Sequence, residues 1–323
     1  MDQPTTGAAA MRARYTGRAR DLFPLFLGTL LLTVVTLGVY RFWARARIRK
    51  HIWSRVALQD DALEYTGTGK ELFLGFLKAA LVLVPVIALV PLMDVLAAAN
   101  PDFALAFSAM KAVVYLVFGY LFYVGYYAAT RYRLSRTRWR GIRFALAGSP
   151  WHYGAMAMLG MVLRFVTLGL YTPYYDVKLA GYEAKNRRFG TKPFLFQGSG
   201  RDLLGSYAMC WLLFIPTLGL SWFWYDARRM CYVVAHTGLD KAQLSLGNIT
   251  GWKVMALKMG NFFIALFTLG FCYPVVVRRT MRFWCDNLSA MGSVDFARIG
   301  QAAARAGSGE GLAGFFDIDA VGG

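Results

Sequence analysis

The sequence predicts a membrane α-helical protein with a small cytoplasmic β-sheet, built from about five repeats of ~50 residues. Three observations predict this fold class. The composition is rich in apolar residues, the tripeptide Thr-Leu-Gly ends an apolar run four times, and a short alternating segment closed by glycine ends each unit. Motif copies at a nearly fixed period indicate one supersecondary unit that is used repeatedly.

The composition favours a lipid environment over a larger soluble core. The 323-residue chain is 57% hydrophobic with a formal net charge of +18, and its mean hydropathy is +0.41. A soluble domain is nearer to roughly 45–50% apolar. Residues 72–92 and 103–127 each provide the roughly 20 apolar residues that a membrane helix needs. The N-terminal segment is polar and basic, so no signal peptide is expected.

The motif spacing divides the chain into five units and two end segments. The second unit is expanded by an extra apolar segment and lacks Thr-Leu-Gly. The predicted divisions are an N-terminal segment 1–14, repeat 1 at 15–64, repeat 2 at 65–146 with a spanning helical hairpin 72–127, repeat 3 at 147–196, repeat 4 at 197–245, repeat 5 at 246–300 and a flexible tail 301–323.

Each Thr-Leu-Gly is expected to form the turn between two helices. The first apolar helix, 22–37, is roughly 24 Å long at 1.5 Å per residue, which is short of the ~30 Å hydrocarbon thickness. Glycine suits the left-handed position that ends a helix. The predicted structural turn residues are Gly38, Gly169, Gly219 and Gly270.

In the four units with Thr-Leu-Gly, the second helix carries a basic residue with an aromatic or histidine ring four positions later. A cation and a ring at this spacing share one helix face, which is typical of a headgroup boundary. Because the cations lie beside apolar runs, anionic phospholipids are the expected partner rather than nucleic acid. The residues predicted to contact the lipid headgroups are Arg47, Arg133, Lys178, Arg228, Arg279, Trp43 and Trp224.

The closing segments read as short half-buried strands, because apolar and polar residues alternate along them. Strands this short need partners, so one shared sheet is expected. The predicted strands are 63–65, 142–146, 194–196, 244–246 and 294–296, with 11–15 as a sixth.

Two membrane topologies are compatible with the apolar runs. If every run crosses once, there are six spans, the strands are divided between two compartments, and the positive-inside bias disappears. If four units dip in and return, only the hairpin 72–127 spans, and both termini and most loops are cytoplasmic. We favour the dipping topology, although its turns then need burial against protein because lipid cannot satisfy free backbone groups.

Residues 36–53 (TLGVYRFWARARIRKHIW) and 63–76 (LEYTGTGKELFLGF) resemble the signature of a known family. It is the YjgN-like family of bacterial inner-membrane proteins, domain of unknown function 898. The resemblance extends from Tyr15 to about Gly311, and the copy at 167–174 is closest to the family form. Ser221 and Cys272 replace the motif tyrosine in later copies. The resemblance implies a multi-pass protein of the bacterial inner membrane, and it supplies no reaction.

No catalytic, cofactor or metal-binding pattern stands out, so we expect that the protein is not an enzyme and holds no cofactor or metal. The three histidines are in no ligand motif, and the glycines near Lys70 lack phosphate-loop spacing. The four cysteines have no paired spacing and fall in or beside apolar helices, so they are interpreted as small core residues.

Two cations within apolar runs, Arg164 and Lys111, are a candidate intramembrane site, since a charge at membrane depth usually faces protein or water. Lys111 also has a plain alternative, snorkelling outward near Asp102. Asp176 and Asp226 occupy the same repeat position and are candidates to neutralise such cations; the first unit has Arg45 there.

The function that follows is a non-catalytic, membrane-organising or lipid-binding scaffold with re-entrant helices in the inner membrane, expected to form a homo-oligomer. The alternative is a transporter or channel for a small solute or anion. Broken helices in internal repeats are typical of solute sites.

Overall fold

Strands and helices alternate in a fixed order through residues 11–292 and 299–300, the part of the chain that this computed structural model describes. The order strand, helix, helix, strand occurs five times there. The strands are β1 (Met11–Tyr15), β2 (Val56–Leu58), β3 (Asp61–Tyr65), β4 (Thr137–Trp139), β5 (Ile142–Leu146), β6 (Arg187–Phe189), β7 (Lys192–Phe196), β8 (Thr237–Leu239), β9 (Ala242–Leu246) and β10 (Leu288–Met291). The α-helices are α1 (Ala19–Val35), α2 (Arg41–Trp53), α3 (Gly69–Ala99), α4 (Ala104–Ser135), α5 (Pro150–Val166), α6 (Thr172–Asn186), α7 (Leu204–Leu212), α8 (Trp222–Ala235), α9 (Gly251–Phe267) and α10 (Tyr273–Asn287).

The strands form one closed barrel in the order β1-β10-β9-β8-β7-β6-β5-β4-β3-β2, and β2 pairs back onto β1. Every neighbouring pair is antiparallel. Two-residue turns join strands such as β2 to β3, where Gln59 and Asp60 have φ values of 49° and 66°. Two central residues with positive φ fit the twist of a tight hairpin.

The connections place all helices at one end of the barrel. Each helix pair follows an odd-numbered strand and precedes an even-numbered one, so the tight turns lie at the opposite end. The helices pack side by side around the barrel axis, and α10 returns to α1. Leu22, Ile52 and Val277 close this ring in one buried cluster from α1, α2 and α10.

Apolar side chains fill the interior of the barrel. Trp139 and Phe189 are buried there, with partly buried residues from several strands packed around them. Ile299 is 6% exposed and joins the same cluster. The backbone N–H of Thr191 donates to the Gly300 carbonyl at 3.1 Å, which fixes this short segment at the tight-turn end. The barrel is therefore a packed core rather than a pore.

The predicted fold class was wrong. The strands close into a ten-stranded barrel instead of forming a small sheet, and only two described helices are long and apolar enough to span a membrane. The prediction found β1, β3, β5, β7 and β9. It missed the four-residue strand β10 and the three-residue strands β2, β4, β6 and β8, which are too short to show alternation. The predicted strand 294–296, residues 1–10 and the predicted flexible tail 301–323 lie outside the described residues.

The two candidate spans are 69–99 and 101–135, which contain α3 and α4 and coincide with the predicted hairpin 72–127. Their selection rests on length and composition, so the crossing itself stays a prediction, as do the repeat boundaries. Six single crossings are incompatible with the barrel, because that topology divides the strands between two sides of the bilayer while all ten belong to one sheet.

Candidate functional site

The four Thr-Leu-Gly turns are built alike, and the threonine ties together both helices that it joins. The Thr36 hydroxyl donates to the Leu32 carbonyl at 2.8 Å and accepts the backbone N–H of Tyr40 at 2.9 Å. It thus adds a second hydrogen bond to a carbonyl of the last turn of α1 and satisfies the N–H of the residue that precedes α2. Thr167, Thr217 and Thr268 each make the same two hydrogen bonds.

The residue in the strained left-handed position is the leucine. Leu37 has φ 49°, and the following Gly38 has φ 91°. The Gly38 N–H donates to the Thr33 carbonyl at 2.7 Å, and the Leu37 N–H donates to the Val34 carbonyl at 3.1 Å. This pair of bonds defines a Schellman motif with leucine at its left-handed site. Our expectation that glycine fills the first position after the helix is off by one residue.

The turn satisfies its own N–H groups. In the first turn the N–H groups of residues 36–41 all find acceptors within the same helical hairpin. The equivalent groups in the other three turns, residues 167–172, 217–222 and 268–273, are bonded in the same way. These donors therefore need no burial against other parts of the protein, contrary to the expectation from the sequence.

The four motif leucines project from the tips of the hairpins. A leucine with positive φ costs roughly 1–2 kcal/mol, and these side chains are mostly exposed instead of packed against the described fold. Their exposed fractions are 94% for Leu37, 80% for Leu168, 93% for Leu218 and 85% for Leu269. Sequence reasoning assigned a role to the glycine and none to the leucine, although the leucine recurs equally often.

The basic residues predicted at the interface occupy one position in four second helices. Arg47, Lys178, Arg228 and Arg279 are all exposed, on α2, α6, α8 and α10. Arg47 also lies 5.6 Å over the ring of Tyr40. In the expanded unit, Arg133 Nη2 donates to Thr130 Oγ1 at 3.0 Å on α4. The structure thus distributes this set around the ring instead of gathering it into one site.

The two predicted tryptophans pack against the start of the following helix. The Trp43 ring crowds the Cα of Gly69, where any side-chain carbon would clash with it. Trp224 crowds Gly251 in the same way and contacts the Trp252 ring at 5.0 Å between centroids. Both tryptophans therefore have a packing role in addition to the predicted interfacial one.

Arg164 and Lys111, the predicted intramembrane pair, have different partners. The Arg164 guanidinium lies 5.0 Å over the ring of Tyr175. Lys111 forms an ion pair with Asp94 on α3, so the partner is not the nearby Asp102. The two cations therefore have no partner in common among these contacts.

A charged cluster lies instead between α6, α8 and α9. Arg229 forms ion pairs with Asp226 at 2.6 Å and with Asp176 at 3.7 Å, and Lys258 forms one with Asp226 at 2.9 Å. The Tyr225 hydroxyl donates to Asp176 at 3.0 Å. Burial raises the pKa of the Asp176 carboxyl, although Arg229 acts in the opposite direction. The sequence picked out both aspartates but not their partners, because α8 and α9 meet only in the fold.

The comparisons with known proteins identify the family. The model of the family "Bacterial protein of unknown function (DUF898)" matches residues 10–223 and 206–315, nearly the whole chain. The chain belongs to this family. The DUF898 match, with the relative described next, confirms the resemblance that the motifs indicated.

Among relatives, this DUF898 protein is similar to the inner membrane protein YjgN of Salmonella typhimurium, with 27% identity over 161 residues. The match covers 48% of this chain and 37% of that relative. No solved structure matches the chain. The similarity supports a location in the bacterial inner membrane, and the family description gives no activity.

Proposed function

We propose that this DUF898 protein is a non-catalytic scaffold of the inner membrane that inserts its helical hairpins into lipid. The observation that carries the proposal is the set of four exposed leucines at self-satisfied turns. Transfer of one such side chain from water into an apolar medium contributes roughly 1.5–3 kcal/mol, which offsets the cost of its left-handed backbone. Four leucines at equivalent tips have no comparable use in water.

In this arrangement the four short helical hairpins re-enter on the side from which they came, while α3 and α4 cross the bilayer. The barrel and its tight turns lie in the cytoplasm, together with both termini. Exposed cations such as Arg47 and Lys178 then contact anionic phospholipid headgroups. An oligomer of such wedges would impose curvature on the membrane.

The test is the depth of the hairpin tips. In a chain whose four native cysteines are replaced, Leu37→Cys and Leu218→Cys are labelled with a bimane fluorophore and the protein is reconstituted into vesicles. We expect quenching by lipids brominated on their acyl chains and none by aqueous iodide. The matched control, Gln59→Cys at an exposed tight turn of the barrel, gives the reverse. Iodide quenching at both leucine positions would refute insertion.

The second candidate is transport of a small solute or anion, and the charged cluster of Asp176, Asp226, Arg229 and Lys258 favours it. Mixed charges inside a helical layer are typical of a solute path. Nitrate or chloride flux into proteoliposomes that disappears in Arg164→Gln or Arg229→Gln supports transport. If the protein gives no flux while the hairpin tips are still inserted into lipid, the scaffold proposal is supported.

A further inference from the structure

We propose that a cavity between α1, α2 and the α9–α10 turn binds one anionic phospholipid from the surrounding bilayer. The cavity has a volume of about 560 Å³, within the range of roughly 300–1,000 Å³ that is usual for ligand sites. It extends from the exposed hairpin tips, at Val34 and Leu269, to Ile52 and Arg49, which are buried near the barrel.

One wall of the cavity is a ladder of arginines. Arg41, Arg45 and Arg49 are spaced by four residues on α2, so they share one face over about 12 Å. Like charges at this spacing repel one another. None of the lining residues that the structure describes is an aspartate or glutamate. The described wall of the cavity therefore contributes three guanidinium groups and no carboxylate.

Arg45 is the residue of this ladder that most directly indicates an anion site. Its Nη1 atom is buried and makes no hydrogen bond with any described residue. Arg49, in contrast, donates to the Tyr65 hydroxyl at 3.3 Å and lies 5.5 Å over the ring of that tyrosine. A buried guanidinium nitrogen without a partner is costly, and a phosphate oxygen is a matching acceptor.

The remaining wall is apolar, and this selects an amphiphile over a free anion. Phe26, Leu30 and Val34 of α1 face Ile48 and the turn residues Leu269 and Phe271 across the cavity. An inorganic anion would leave this surface uncovered, whereas an acyl chain covers it. If the tips lie in hydrocarbon, as the proposed function states, the chain points toward the tips and the phosphate toward Arg45 and Arg49.

The test uses the full chain in a nonionic detergent, so that it does not depend on how the helices insert. Binding of dioctanoyl phosphatidylglycerol is measured by native mass spectrometry for the delipidated protein. We expect one bound molecule, an affinity at least ten times weaker in Arg45→Gln, and an unchanged affinity in Lys50→Gln. Lys50 is the matched control, because it is exposed on the same helix with the same charge but does not line the cavity.

Two further measurements test the headgroup charge and the acyl-chain site separately. Dioctanoyl phosphatidylcholine and inorganic phosphate should both bind at least ten times more weakly than phosphatidylglycerol. Leu30→Trp, which keeps the charges and fills the cavity, should also abolish binding, and circular dichroism checks that each variant is folded.

Equal weakening by Arg45→Gln and Lys50→Gln would overturn the site in favour of general surface attraction. Phosphate binding as tight as phosphatidylglycerol would overturn the lipid in favour of a free anion. Neither result bears on the depth of the hairpin tips, so failure here is distinguishable from failure of the scaffold proposal.

Discussion

At the residue scale, each of the three residues of the Thr-Leu-Gly motif has its own role. The threonine hydroxyl accepts the N–H at the start of the second helix, the glycine adopts φ values of 82–91°, and the leucine takes an unfavourable backbone conformation and projects outward. Only the first two roles serve the fold. The leucine is the part of the motif that local structure does not explain.

The Leu37→Gly variant separates the two effects of this leucine, on the stability of the fold and on membrane anchoring. Glycine removes the left-handed penalty, so we expect the protein in detergent to gain about 1 kcal/mol of unfolding free energy, measured by thermal denaturation. Membrane anchoring should weaken, because roughly 1.5–3 kcal/mol of transfer energy is lost. Gly38→Ala, at φ 91°, should instead destabilise the fold. A loss of stability in Leu37→Gly would contradict this account.

Cys285 should be unreactive in the native protein. Burial raises the pKa of its thiol to about 11, with a further contribution from Asp286. At pH 8 the thiolate is then about 100-fold scarcer than for an ordinary cysteine, so alkylation by iodoacetamide should slow by at least that factor. Mass spectrometry of the modified peptide measures the rate, and unfolding in guanidinium should restore it. Fast native labelling would show that the side chain is not buried.

At the element scale, each helical hairpin depends on the bonds that its threonine makes across the turn. In the α5–α6 hairpin the Thr167 hydroxyl bonds the Leu163 carbonyl at 2.7 Å and the Tyr171 N–H at 3.0 Å. The second bond is the more valuable, since the N–H has no other acceptor in an apolar turn.

Thr167→Val should therefore lower the free energy of unfolding by about 1–3 kcal/mol. Thr33→Val is the control, because the Thr33 hydroxyl donates to the Thr29 carbonyl on the same helix and caps no N–H of a described residue. Thermal denaturation of both variants in the same detergent measures the difference. Equal losses would mean that bridging the turn adds nothing.

At the scale of the whole molecule, the barrel core holds the five strand–helix–helix–strand units together. Trp139 and Phe189 come from different units, and Ile299 packs against both from a segment that follows the last described strand. Contacts of this kind couple parts of the chain that are far apart in sequence.

Ile299→Ala should destabilise the protein by about 2–5 kcal/mol, through the cavity it leaves in this core. The control is Leu195→Ala on β7, a leucine that is 52% exposed and faces outward. Its effect should stay within about 0.5 kcal/mol. Chemical denaturation measured by tryptophan fluorescence compares the two, and a tolerated Ile299→Ala would show that the segment is not part of the core.

The sequence carried enough local information to place the turn motif, most helices and the odd-numbered strands, because these depend on neighbouring residues. The barrel was missed because its closure depends on long-range pairing, such as β1 with β10. The arginine ladder had a visible signal in the four-residue spacing of Arg41, Arg45 and Arg49. That signal was missed because Arg45 occupies the position at which the third and fourth units carry Asp176 and Asp226, and it was interpreted only as an exception to that acidic position.

Closure of the barrel also determines which strands can be deleted without exposing an unpaired edge. In an open sheet, removing an end strand leaves the rest paired, but a ring has no end to remove. Removal of any one helix pair with its two strands would leave two unpaired strand edges in the barrel. Each such edge could pair with a strand of another chain and lead to aggregation. A chain that lacks one unit can therefore fold without exposed edges only if its remaining strands close into a barrel of fewer strands.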